Sequence, residues 1–222
     1  MCEILAVREY IKKTAPPGDA SRDEVRRLRE EVTAKRPIAD GVQFGPVDMG
    51  GVAAERLATD GADAKHAIVH LHGGGYVFGS PATHRTIGAY LAAEGNVPVY
   101  LVDYRLAPEH PYPAALEDAL AAFEWLEAQG LDASAIAVSG DSAGGGLALS
   151  LSLTRAARQQ ALPASLLLQS PWTDLSCSFD TYDMLEGVDP SATRERLLDM
   201  AKLYVGDGGD LRDPVVSPCF AD

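Results

Sequence analysis

The sequence predicts one three-layer α/β domain, a mainly parallel sheet with helices on both faces. Three observations carry this prediction. The chain has 222 residues, 46% of them hydrophobic and 23% charged, which is enough for one core and ordinary for a globular protein. Short unbroken apolar runs at residues 67–71, 98–102, 135–139 and 164–168 read as strands buried on both faces. Helical stretches at 83–94, 113–129 and 143–160 separate them, and strands alternating with helices imply parallel crossovers. No internal repeat or low-complexity tract interrupts the pattern.

Residues 1–45 are charged and helix-prone. Ser21-Arg22-Asp23-Glu24 has the form of a capping box, in which the Ser oxygen accepts from the backbone three residues on. It opens a helix over 23–34 whose Val25, Leu28 and Val32 share a face. An ordinary amphipathic helix and part of a lid are both compatible with it. Pro113 suits the first position of its helix, where a missing N–H costs nothing. The segment 179–209 breaks the strand–helix rhythm. It holds a helix around 191–204 and the turn-rich Gly206-Asp207-Gly208-Gly209, and it reads equally as a lid insertion or a crossover helix.

Charge and cysteine usage exclude several function classes. Net charge is −13, so nucleic acid and anionic membrane surfaces are poor partners. The three cysteines, Cys2, Cys177 and Cys219, form no CxxC pair, which argues against a disulfide framework or a zinc site. No apolar run approaches the ~20 residues of a membrane span, and no basic stretch followed by an apolar one marks a signal peptide. The expected location is the cytoplasm, and no metal or organic cofactor is expected.

The chemistry-bearing signal is Gly140-Asp141-Ser142-Ala143-Gly144, a G-x-S-x-G pattern at a strand-to-helix junction. A sharp turn there lifts a serine hydroxyl above the sheet, in a strained backbone conformation. The following helix directs free N–H groups and a positive dipole end at developing negative charge. His72-Gly73-Gly74-Gly75 follows the strand at 67–71, and its glycines let backbone N–H groups converge on one point. A phosphate-binding loop is the weaker alternative, because no Gly-Lys-Ser/Thr follows either glycine cluster. A nucleotide-binding doubly wound domain is disfavoured for the same reason.

Taken in order, His72-Gly73-Gly74-Gly75-Tyr76-Val77-Phe78-Gly79, Asp103-Tyr104-Arg105-Leu106-Ala107-Pro108-Glu109 and Gly140-Asp141-Ser142-Ala143-Gly144-Gly145 resemble the bacterial hormone-sensitive-lipase-like esterases. The resemblance runs from about Val69 to Asp174. Ser170-Pro171-Trp172-Thr173-Asp174 and Asp213-Pro214-Val215-Val216-Ser217-Pro218 extend it. It implies an α/β-hydrolase fold, with 46–178 and 210–222 as core and 1–45 and 179–209 as a helical lid. It implies a carboxylic-ester hydrolase acting on small esters of short to medium acyl chain. Ser142 would be the nucleophile, with the N–H groups of Gly73, Gly74 and Ala143 as the oxyanion hole. His72 would orient its loop, and the 104–109 stretch would position the loop after its strand.

A serine hydrolase also needs a base, and a carboxylate to orient it. In this fold the order along the chain is Ser, acid, His. The five histidines, His66, His70, His72, His84 and His110, all precede Ser142. The expectation is that the chain lacks two C-terminal strands together with the acid and histidine, leaves an apolar sheet edge bare, and is inactive alone. His84 and His110 are expected at the rim, and Asp141 is expected to point away from the serine. Asp174 is a conceivable carboxylate, while Asp180, Asp183 and Asp189 are expected to be solvated. The rival from another class is a non-catalytic ligand-binding protein on the same scaffold.

Overall fold

The computed structural model describes residues 3–15, 17, 19–185, 188 and 192–221. Cys2, Asp189 and Ser191, singled out above, lie outside them. Two helices come first, α1 (Glu3–Thr14) and α2 (Arg22–Thr33). The Ser21 side chain caps the helix by accepting from Glu24 N, one of the two bonds of a capping box, and α2 starts one residue earlier than expected.

A hairpin follows, β1 (Val42–Asp48) and β2 (Ala53–Thr59), paired antiparallel. The apolar-run criterion missed both strands. Their residues alternate between faces, and β1 is an edge strand with no buried residue. The signal that was present is the turn at Gly50 and Gly51, both at positive φ. Because β1 begins at Val42, the boundary expected at 45/46 falls inside a strand.

From there the expected alternation appears: β3 (Ala67–Leu71), α3 (Pro81–Gly95), β4 (Val99–Val102), α4 (Ala114–Ala128), β5 (Ile136–Asp141), α5 (Ala143–Ala157) and β6 (Ser165–Gln169). Pro113 is the N-cap of α4, one position before the expected N1. The short α6 (Thr181–Met184) and α7 (Arg194–Val205) complete the set. The sheet runs β1-β2-β4-β3-β5-β6, with the last four strands mutually parallel and the hairpin antiparallel.

Side chains alternate across each strand, so each face collects its own core. On one side Leu57, Val99 and Leu101 pack with Ala89 and Ala92 of α3. On the other, Val69, Leu71 and Val138 pack with Phe123 of α4 and Leu147 and Leu151 of α5. Strand β6 is the sheet's second edge, and its Leu167 is 45% exposed.

Helices α4 and α5 are tied by a buried ion pair. Arg155 is 2% exposed and donates two hydrogen bonds to Glu127, at 3.0 and 2.7 Å, and one to Ala161 O. Its guanidinium also covers the Phe123 ring at 4.3 Å. Removing one partner of such a pair leaves an uncompensated buried charge. Glu127→Ala is therefore expected to lower the unfolding free energy by about 3 kcal/mol, read as a fall in the urea midpoint at unchanged slope. A change within about 0.5 kcal/mol would show that water reaches Arg155.

Candidate active site

Strands β3 and β5 pair in parallel with Leu71 opposite Gly140. Both chains therefore leave the sheet at the same height, β3 into the glycine loop and β5 into the turn that bears Ser142. Ser142 sits at φ 52, ψ −120, a region that side chains enter only under strain. Three hydrogen bonds hold it there. Its N–H donates to Gln169 O at 2.9 Å, and its carbonyl accepts from Gly146 N at 3.1 Å and Trp172 N at 2.8 Å. A Cβ on Gly140 would strike the Gly144 carbonyl, and one on Gly144 would strike the Leu71 carbonyl. Those two glycines are what let the turn close.

Ser142 itself is half-exposed. The Ala143 N–H, first in α5, donates to nothing among the described residues and lies at the positive end of the helix. Gly74 and Gly75, at φ 129 and 65, likewise keep unengaged N–H groups. A side chain at Gly74 would run into the Phe78 carbonyl, which the close turn brings against it.

Gly73 departs from expectation. Its N–H donates to Asp141 Oδ1 at 3.0 Å and so is turned away from any shared oxyanion point. The cause is that Asp141 precedes the tight turn and projects back toward the neighbouring strand's loop. Asp141 thus points away from the serine as expected, but it is not idle. His84 Nε2 lies 3.2 Å from the same oxygen, and its Nδ1 lies 2.7 Å from Thr83 Oγ1. Sequence reasoning missed this link between α3, the elbow and the glycine loop, because the three residues are far apart in the chain and only the fold gathers them.

His72 orients its loop, as expected. It is buried, its ring stacks on Tyr104 with centroids 4.1 Å apart, and its Nδ1 lies 3.0 Å from Gly73 O. Tyr104 OH donates to His72 O at 2.6 Å, which gives the 104–109 stretch its positioning role. Arg26 of α2 continues it, donating to Val77 O and Ala107 O and, through both terminal nitrogens, to Glu109. Hydrogen bonds from Arg26 pull the Glu109 carboxyl down to about 2.

The remaining candidates are structural or solvated. Asp174 is buried, and its two oxygens accept from the N–H and hydroxyl groups of Ser176 and Ser178. It closes a turn. Asp180 and Asp183 are exposed, and Asp183 pairs with Arg194. His110 is exposed, and His66 pairs with Asp63. Cys177 is buried, Cys219 is exposed, and both are free. Among the described residues no three His, Cys, Asp or Glu side chains gather to hold a metal, and no helix is long and apolar enough to cross a membrane.

His70 and His72 lie wholly inside the protein, and the Nε2 of each lacks a hydrogen-bond partner. Burial, followed by the charge of His84, lowers His70 from 6.5 to about 4 and His72 to about 3. Burial opposes ionisation of Asp141 too, but its bonds to His84 and Gly73 outweigh it and hold the carboxyl below its ordinary value.

Comparison with known proteins places this geometry. A profile of the alpha/beta hydrolase fold family matches residues 68–222. An esterase of Acinetobacter venetianus is 38% identical over 198 residues, 89% of this chain and 65% of its own length. An acetyl-hydrolase of Streptomyces hygroscopicus is 35% identical over 176 residues, 79% of this chain and 58% of its own. The chain thus spans less than two thirds of either relative. A crystal structure of an esterase from the bacterial hormone-sensitive lipase family superimposes with a TM-score of 0.94 at 37% identity, covering all of this chain and 74% of that one.

The buried rings make acid stability a test of the site. Below about 6.5 the unfolded chain protonates both, while the folded chain refuses the protons until about 4 and about 3. Stability present above 6.5 is therefore lost as pH falls through that window, by about 1.4 kcal/mol per pH unit for each ring. His70→Gln is expected to remove one ring's share of that slope in urea titrations between pH 6 and about 4. An unchanged slope would mean His70 is protonated in the fold.

Proposed function

Because this chain belongs to the α/β-hydrolase fold family, among the hormone-sensitive-lipase-like esterases, we propose that Ser142 is the nucleophile of a carboxylic-ester hydrolase working through an acyl-enzyme. The observation that carries the reading is the strained Ser142 backbone beside three unengaged N–H groups, those of Gly74, Gly75 and Ala143. These three replace the expected set of Gly73, Gly74 and Ala143, since the Gly73 N–H is taken by Asp141.

In this reading Ser142 Oγ attacks the carbonyl carbon of a small ester of short to medium acyl chain. The carbonyl π electrons move to oxygen, and the three N–H groups stabilise the oxyanion, each contributing about 3 kcal/mol at the transition state. Collapse expels the alcohol, which takes up the proton the serine gave. Water then attacks the acyl group and releases the acid. Helices α2 and α7 form the walls of the entrance, α2 through Arg26 and α7 through Tyr204, whose ring stacks on Tyr76 at 3.7 Å.

The step these 222 residues leave unserved is proton transfer. Ser142 Oγ has no hydrogen-bond partner among the described residues, and every histidine precedes it in the chain. The 222-residue chain alone is therefore proposed to be nearly inactive. Donors and binding without the base leave ~10³–10⁴ over water, against a loss of ~10⁶ from an intact triad.

The test is hydrolysis of p-nitrophenyl acetate by the 222-residue protein, its intact mass recorded, beside Ser142→Ala. Turnover within about tenfold of the variant supports the proposal. Serine-dependent turnover at enzymatic rates would sink the inactivity and direct attention to His84 and Asp141. If supplying a histidine-bearing C-terminal segment from an esterase relative restores nothing, the binding-protein reading replaces this one.

A further inference from the structure

Helix α7 lies against the glycine loop, and the face it turns there is only partly filled. Leu197, Met200, Ala201 and Tyr204 fall three and four residues apart and so share one side of the helix. Ala201 and Tyr204 are buried, the latter against the Tyr76 ring. Leu197 and Met200, nearer the start of the helix, are only partly covered. Apolar surface left open on an otherwise closed face is surface that an aliphatic group covers favourably.

Contacts of the loop fix where that open part lies. A Cβ on Gly73 would fall 3.0 Å from Asp141 O, and one on Gly146 would fall 3.0 Å from the Tyr76 hydroxyl. Gly73 and Tyr76 thus rest on the residue before Ser142 and on the first turn after it, and Gly74 and Gly75 connect them. A Cβ on Gly75 would collide with Met200 Sδ and fall 3.0 Å from its Cε. The thioether therefore stands within about 5 Å of the Gly75 nitrogen, whose N–H is one of the unengaged donors. An ester carbonyl held by that donor brings its substituent against Met200. Leu197 continues the apolar surface for ~4.5 Å back along the helix axis. Beyond it the helix ends at Thr193, whose side chain accepts from Arg196 N, so polar groups replace apolar ones there.

We propose that Met200 and Leu197 form the acyl wall of the Ser142 site, and that the preferred esters carry an unbranched aliphatic acyl chain of about four to six carbons. The inference rests on the reading of Ser142 as the ester-cleaving residue. An acetyl group is too short to cover Met200. A longer chain runs past Leu197 and gains nothing further, because its added methylenes stay in water. Methionine suits such a wall, since its unbranched thioether adapts to the chain that lies on it. The acyl side is assigned because the acyl group must be held through both steps of the reaction, whereas the alcohol has to leave after the first.

The experiment is NMR titration of the 222-residue chain, labelled at its methionine methyls and backbone amides, with methyl acetate, butyrate, hexanoate and octanoate. The chain has four methionines, so the signal lost in Met200→Leu identifies Met200, and the spectra also confirm that the esters stay intact. The amides of Gly74, Gly75 and Ala143 report the carbonyl, and the Met200 methyl reports the chain. All four esters are expected to move the amides, and the methyl is expected to move from butyrate onward. Affinity should rise about threefold per methylene up to hexanoate and be level at octanoate. Met200→Ala should weaken hexanoate about tenfold and leave acetate unchanged, while Met200→Leu keeps the gain. Amide spectra of the free variants verify their fold. Pentyl acetate, an isomer of methyl hexanoate with its chain on the alcohol side, should bind no better than methyl acetate. A Met200 methyl that moves as far with pentyl acetate, or a chain-length gain that survives Met200→Ala, overturns the acyl wall and leaves the ester site standing. If no ester moves the three amides, both readings fall.

Discussion

The register of β3 on β5 is the constraint from which the rest of the site follows. With Leu71 opposite Gly140, two glycine-rich turns leave adjacent strands at one level, and their backbones can approach because side chains are absent where they meet. A slip of one residue would invert every side chain of a strand between the two cores. The apolar commitment of Val69, Leu71 and Val138 to one face therefore secures the register, and with it the distance between the two groups of free N–H donors. Packing energy deep in the sheet sets geometry at its edge.

Asp141 and His84 refine what the register places. The carboxylate draws the first glycine of the loop toward the elbow, and this fixes which later N–H groups remain free. The buried His72, stacked on Tyr104, holds the loop from below. The serine's neighbours thus owe their directions to a polar network of Asp141, His84, His72 and Tyr104. Such a network tolerates little change, because a partly satisfied buried polar group is costly.

Much of this was legible in the residues. The parallel strands announce themselves as unbroken apolar runs, since both their faces are covered, and the nucleophile turn is marked by glycines that sterics demand. The β1–β2 hairpin was illegible to the same criterion, because an edge strand with one wet face carries a mixed pattern. The assignment of Gly73 as a donor failed for a different reason. Which of three adjacent glycines points its N–H inward depends on Asp141, 68 positions later in the chain, and no local pattern encodes that. The pairing of Asp141 with His84 is a product of tertiary packing in the same sense.

Helix α2 is attached through polar contacts. It contains no buried residue, and Arg26 holds it by hydrogen bonds to two carbonyls and a carboxylate. Detaching it would exchange those bonds for bonds to water while wetting little apolar surface. Heat-capacity change tracks apolar exposure, so movement of α2 away from the loop would be almost silent calorimetrically. Its thermodynamic signature would be a response to ionic strength, not a curved dependence on temperature.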